Sequence, residues 1–183
     1  MLLHGSCAAR DGEAVLFLGP PGAGKSDLVL RLLDRPGWQL VADDQVRIEA
    51  VQATHGSGDA ATASPPGEGT RAGATLRVEP APVLRGMLEV RGLGLFTALP
   101  VAEPAWLRLA VECTASRESV PRLPEPTRFA CAGHSVPLIR LHAFDGSAPA
   151  KVEWALAAAA GRMRMRAGAF ETADRATEAE ADG

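Results

Sequence analysis

The residues most able to do chemistry sit in the first quarter of the chain. They are a lysine and a serine in a glycine-rich stretch, two adjacent aspartates further on, and a histidine near the start. The stretch is Gly19, Pro20, Pro21, Gly22, Ala23, Gly24, Lys25, Ser26 and Asp27. Gly19, Gly24, Lys25 and Ser26 fit G-x-x-x-x-G-K-[ST], a loop whose backbone amides cradle phosphates. The chain has 19 basic residues, yet only Lys25 and Lys151 are lysines. Arginine presents a broad planar fork, whereas lysine is a compact ammonium on a flexible stem that can enter a narrow loop and touch phosphate oxygens. Ser26 can offer its hydroxyl to a magnesium ion on the nucleotide. Residues 19–27 are therefore the candidate nucleotide-binding residues, with Lys25 on the phosphates.

Such a loop works only between a buried strand and a helix whose free N–H groups and positive dipole end face the anion. Both flanks agree. Residues 14–19 are a continuous apolar run suited to a buried parallel strand, and residues 25–35 place Leu28, Leu30, Leu32 and Leu33 among helix formers.

The second feature is "VADD". Asp43 and Asp44 close an apolar strand after the loop helix, where such folds place a group facing the metal or the acceptor. Adjacent residues at a strand end point to opposite faces, so one aspartate could bind magnesium through water while the other takes a proton from an acceptor hydroxyl. Ordinary turn or cap residues are the alternative. His4 lies on the first predicted strand, where a lone histidine is more often a packed core or edge residue than a catalyst. In "GMLEVRGLGLF", residues 86–96, Glu89 and Arg91 alternate with Leu88 and Val90 before two glycines bend the chain. That pattern suits either a strand presenting Glu89 and Arg91 to a site or an amphipathic strand with a surface ion pair.

The remaining elements have to position these groups. Strands are expected at 2–9 and 14–18 across an "RDGE" turn, at 37–51 on both sides of the aspartates, twice within 74–96 and at 106–113, and a proline-rich passage at 119–129 connects to 134–144. A helix is expected over 147–166, with Ser147 as cap and Pro149 near its first turn. The Gly-, Ala-, Ser-, Thr- and Pro-rich stretch 52–73, which contains His55, is expected to be a mobile loop, and the acidic tail 169–183 to be disordered. The sequence thus predicts one α/β domain over 1–168, a P-loop kinase-type sheet core with flanking helices. Its 183 residues suffice for a substantial core.

A formal net charge of −3 offers no global basic field for nucleic acid or an anionic membrane. Three cysteines without C-x-x-C spacing, no signal-peptide pattern and no span-length apolar run predict a cytoplasmic chain with reduced thiols. A phosphate-binding loop alone does not choose between kinase, motor, switch GTPase and transporter ATPase. The guanine-reading Asn-Lys-x-Asp cannot occur in a chain without asparagine, and neither an LSGGQ signature nor a D-E-x-[DH] box is present. Kinases of small or large acceptors remain.

Taken in order, "LHG", "GPPGAGKS", "VADD", "MLEVRGLG" and "VPRLP" resemble the HPr kinase/phosphorylase family, from about residue 3 to residue 165. The match is to a short form with only the catalytic domain. The resemblance implies an ATP- and magnesium-dependent serine kinase acting on HPr or an HPr-like phosphocarrier, in regulation of the phosphotransferase system and carbohydrate metabolism. It also implies reversal by phosphorolysis in many members, and assembly as hexamers. Carried over by position, Asp44 resembles the general base, His4 the histidine beside it, Lys25 the phosphate-contacting lysine, Ser26 and Glu89 the magnesium ligands, and Arg122 the active-site arginine. Glu89 then takes the metal role that the residues alone gave to Asp43 or Asp44, leaving Asp43 as an outer ligand. The family's late Gly-Arg-Asn run is absent, and Arg140 stands in the corresponding region. A small-molecule P-loop kinase and an ATP-binding regulatory module without phosphotransfer are the competing expectations.

Overall fold

The structure is a computed structural model that describes residues 1–52 and 75–171. Apart from Gln52, the expected loop at 52–73, His55 included, lies outside the described residues, as does the expected tail from 172 onward.

The fold is organised about β3 (Glu13–Leu18), the strand that feeds the phosphate loop. Its apolar run is buried on both faces: Ala14, Val15, Leu16 and Phe17 have no exposed surface. One neighbour is β2 (Ser6–Arg10), reached through an Asp11-Gly12 turn in which both residues have positive φ, and paired antiparallel. That is the two-residue hairpin an Asp-Gly pair favours. The other neighbour is β9 (Ala105–Thr114), paired in parallel with a register shift between Ala14 and Val15.

Around them lie β1 (Leu2–His4), β4 (Trp38–Ala42), β5 (Gln45–Val51), β6 (Thr75–Pro80), β10 (Thr127–Cys131) and β11 (His134–His142). Together they form a nine-stranded mixed sheet in the order β1-β5-β6-β9-β3-β2-β4, with β11 paired in parallel to β9 and β10 antiparallel to β11. The expected P-loop α/β sheet is present. The single first strand predicted over 2–9 is instead two, β1 and β2, broken at Gly5. A Cβ there would stand 2.7 Å from the Phe17 carbonyl oxygen, and the Gly5 amide donates to the Asp44 carbonyl at 3.0 Å. The chain therefore bends at Gly5 and at Asp44 together, between β2–β4 on one side and β1–β5 on the other.

Helix α1 (Lys25–Leu33) lays Leu28, Val29 and Leu32 on one face of the sheet, against Val15, Phe17, Leu109 and Val111. Each of these fully buried side chains is worth about 1.5–3 kcal/mol, enough to fix a helix too short to stand alone. Leu30, placed among the apolar positions by the sequence, is on the opposite side and 37% exposed. The other sheet face is filled by Leu16, Val41, Val46, Ile48, Val78 and Leu107.

Helix α2 (Ala148–Ala159) starts after Ser147 with Pro149 in its first turn, and ends well before the predicted residue 166. The stop is local. Gly161 takes φ 73° and donates to the Ala158 carbonyl, and Arg162 donates to the Ala157 carbonyl. This is the paired bonding of a Schellman cap, which turns the chain out of the helix. Arg162 then donates to Glu13 at 2.6 Å, and Ala169 and Phe170 pack back on the core.

The "LEVRGLG" block forms a separate hairpin, β7 (Leu88–Val90) and β8 (Gly94–Phe96), in which Leu88 faces Phe96 and Glu89 faces Leu95. Leu88 is buried in the α1 cluster while Glu89 and Arg91 are exposed.

Candidate active site

Two of the loop glycines are required by close approach. Gly19 has φ 134°, and a Cβ on it would fall 2.4 Å from the Cys113 carbonyl oxygen. Gly24 has φ 87°, and its Cβ would fall 2.9 Å from that of Ala143 and 3.1 Å from the Phe144 ring. The loop is thus clamped against β9 below and the end of β11 above. Gly24 caps α1 without a side-chain hydrogen bond, and the first intrahelical bond runs from the Leu28 amide to the Gly24 carbonyl. Amides in the first turn of a helix have no partner within it, so they remain available to an anion.

Lys25 is 8% exposed, and its ammonium donates to the Gly19 carbonyl at 2.8 Å and the Pro20 carbonyl at 3.1 Å. Those two bonds hold it inside the loop, in a space that a guanidinium fork would not enter without displacing the backbone. The scarcity of lysine elsewhere in the chain gains its meaning here.

Asp43, 7% exposed, sits just beyond the end of β4. Its Oδ1 accepts from the Ser6 hydroxyl at 2.6 Å and the Ser26 hydroxyl at 2.8 Å, and its Oδ2 from the Glu89 amide at 3.4 Å. A buried carboxylate needs such donors. One residue on, Asp44 adopts a left-handed backbone, φ 69°, and turns its side chain out, 60% exposed. There its Oδ1 lies 3.0 Å from His4 Nδ1, across the paired bend of β1 and β5. The two aspartates therefore do separate, as strand-end geometry suggested: one organises the loop serine from behind, the other stands in solvent beside a histidine.

Two cavities meet at the phosphate loop. The first, of about 370 Å³, gathers His4, Lys25, Ser26, Asp43, Asp44 and Glu89. The second, of about 300 Å³, lies over the start of α1 and is walled by Leu30, Arg91 and Phe144. Gly22, Lys25, Ser26 and Glu89 border both. The loop, His4, both aspartates and Glu89 are thus brought together, although they come from four separated stretches of sequence.

Arg122 is not gathered with them. It lines a different cavity, of about 830 Å³, with Pro121, Arg140, Trp154 and Phe170. Arg140 is there too, its guanidinium donating to Glu112 at 2.9 Å. Sequence reasoning missed Ser6, the closest partner of Asp43, and Phe144 over the loop. Neither belongs to a motif, and only the folded register brings them in.

The residues present fit a magnesium nucleotide. The loop has its open helix N-terminus and its inward lysine. Ser26 uses its proton on Asp43, which leaves its oxygen lone pairs for a cation. Among the described residues, no group of three or more His, Cys, Asp or Glu side chains is placed to hold a metal alone. No helix among the described residues is long and apolar enough to cross a membrane.

No family model matches the chain. It is similar to the HPr kinase/phosphorylase of Streptococcus sanguinis, 32% identical over 148 residues that cover 76% of this chain and 41% of that protein. It is also similar to the HPr kinase/phosphorylase of Caldicellulosiruptor bescii, 36% identical over 92 residues, which cover 50% of this chain and 23% of that protein. The matched stretch is thus less than half of those relatives' length. Among solved structures, the Hpr(Ser) kinase/phosphatase from Coxiella burnetii matches with a TM-score of 0.63 and 21% identity, over 100% of this chain and 94% of that one.

Proposed function

We propose that this chain, a homologue of the HPr kinase/phosphorylases along the stretch they share, is an ATP- and magnesium-dependent kinase of a serine on an HPr-like phosphocarrier. The observation that carries the proposal is the pair of cavities joined at Lys25, Ser26 and Glu89, with the Asp44–His4 pair on only one of them. A transfer enzyme needs such a division: one space for the nucleotide, one for the acceptor, and the phosphoryl group between them.

In this proposal the amides of Gly22, Gly24, Lys25 and Ser26 and the Lys25 ammonium bind the phosphates, while the Ala23 amide donates to the Pro20 carbonyl within the loop. Ser26 and Glu89 hold magnesium, with Asp43 orienting Ser26. Bound magnesium would neutralise the charge on the transferring phosphoryl group. Asp44 accepts the proton of the incoming serine hydroxyl as the new serine O–P bond forms and the bond between the β- and γ-phosphates breaks. His4, at 3.0 Å, fixes the orientation of that carboxylate. The same placement serves phosphorolysis, in which inorganic phosphate attacks the phosphoserine phosphorus, the serine O–P bond breaks to give pyrophosphate, and Asp44 returns a proton to the departing serine oxygen. Arg122 lines a separate cavity, and in this proposal it reaches the chemistry from another copy of the chain, in keeping with a homo-oligomer, a hexamer by resemblance.

The test is incubation with labelled ATP, magnesium and an HPr-like protein. Label should appear on a carrier serine and fall by about 10²- to 10⁴-fold in Asp44→Asn, the usual range for a lost general base, while ATP binding persists. ATP binding without label on any carrier offered would reject the kinase and favour a regulatory module.

A further inference from the structure

The 300 Å³ cavity over α1 has a wall that phosphate binding does not use. Phe144 follows β11 directly and is 53% exposed, in a chain with only five phenylalanines and no tyrosine. An exposed ring at a cavity rim is informative when the backbone holding it is fixed, because it then acts as a ready surface and not as a loose side chain. That is the case here. From α1, Arg31 donates to the Asp145 carbonyl at 3.1 Å and to the Ala143 carbonyl, clamping the backbone on both sides of Phe144. The carboxylate of Asp145 accepts from His142 at 3.0 Å, Lys151 at 3.1 Å and Arg117 at 2.5 Å, closing the turn from the other side. The His142 ring meets the Phe144 ring edge-on, with centroids 5.8 Å apart and planes at 65°. Below, Gly24 gives up its Cβ so that the ring can sit over the start of α1.

The same cavity is lined by Leu30, more than a third exposed on the outer side of α1, by Val90 and Arg91 from the β7–β8 hairpin, and by Asp27 and Glu89. A mixed slot whose lining joins a fixed aromatic ring, aliphatic side chains and a guanidinium to the polar groups of the phosphate loop has the chemistry of a site for a flat heteroaromatic base beside its phosphates. We infer that Phe144 is the stacking platform for the nucleotide base, and that this slot contributes base affinity separately from the phosphate loop. The inference rests on the nucleotide-binding reading of that loop.

The two can be separated by comparing ADP with tripolyphosphate, which offers phosphates and no base. With magnesium, calorimetric titration of the full chain should find Phe144→Ala about tenfold to a hundredfold weaker for ADP, the range of a lost base–aromatic stack, and within about twofold for tripolyphosphate. Phe144→Trp should regain ADP affinity, and Phe144→Leu should fall between. Equal losses for both ligands would make Phe144 a mere support for Gly24 and overturn the platform. Unchanged ADP affinity in Phe144→Ala would do the same. Failure of the unaltered chain to bind either ligand would instead remove the loop reading, and the base slot with it.

Discussion

At the residue scale, the clearest acid-sensitive group is Asp145, in the turn that carries Phe144. Hydrogen bonds from His142 and Lys151, then the Arg117 guanidinium, hold its carboxyl well below the usual carboxylate range, against a smaller opposing effect of burial. A carboxylate whose folded pKa is depressed contributes stability that is fully present above its unfolded value, about 3.9, and is lost as pH falls toward the folded one. The thermal midpoint should therefore fall between about pH 5 and about pH 2, and less steeply in Asp145→Asn, whose midpoint at neutral pH is already lower. Parallel curves for the two proteins, followed by circular dichroism, would show that this turn plays no part in acid unfolding. The buried thiols behave in the opposite sense. Burial pushes the Cys113 thiol up to about 12 and Cys7 further still, so neither is a thiolate at neutral pH. They are packing residues, and the absence of C-x-x-C spacing already argued against any metal or redox use.

At the scale of elements, strand β3, the phosphate loop and the first turns of α1 could be placed from sequence alone, because each carries a local signal: a run buried on both faces, glycines at fixed offsets, a helical apolar face. What the sequence did not disclose depends on contacts between distant segments. The break of the first strand at Gly5 follows from the Phe17 carbonyl on the neighbouring strand and the Asp44 carbonyl from beyond β4. The "LEVRGLG" block reads as an alternating strand, and only its folded-back register sets Glu89 beside both cavities. The end of α2 is a third case. Alanines and arginines on both sides of Gly161 are good helix formers, and the single glycine decides the stop only because its left-handed conformation completes the Schellman bonds. A Cβ at Gly161 would meet open space, so Gly161→Ala carries only the cost of that backbone conformation, about 1 kcal/mol. A drop in urea midpoint of that size, with an unchanged slope, is the expected result. No drop would mean that α2 simply continues into Arg162 in the variant, releasing the Arg162–Glu13 pair.

At the scale of the whole molecule, the separation of Arg122 from the proposed catalytic groups has the largest consequence. His4, Lys25, Ser26, Asp44 and Glu89 border one cavity, whereas Arg122 borders another, against β11 and α2. A fixed cation on a transferring phosphoryl group must come close to it to stabilise the charge that builds there. If Arg122 has the role that its place in "VPRLP" implies, one copy supplies the carboxylate and another the guanidinium. Asp44→Asn and Arg122→Ala, each inactive alone, should then complement when mixed under conditions that exchange subunits. In a random equal mixture, about a quarter of the sites join an intact Asp44 to an intact Arg122 from a neighbour, so about a quarter of the unaltered rate should return. Transfer of label to the carrier, read with light scattering on the same samples, gives both quantities. An oligomer without regained transfer would confine Arg122 to its own cavity. A monomer with full activity would show that Asp44 and the four groups beside it complete the reaction without a guanidinium from another copy.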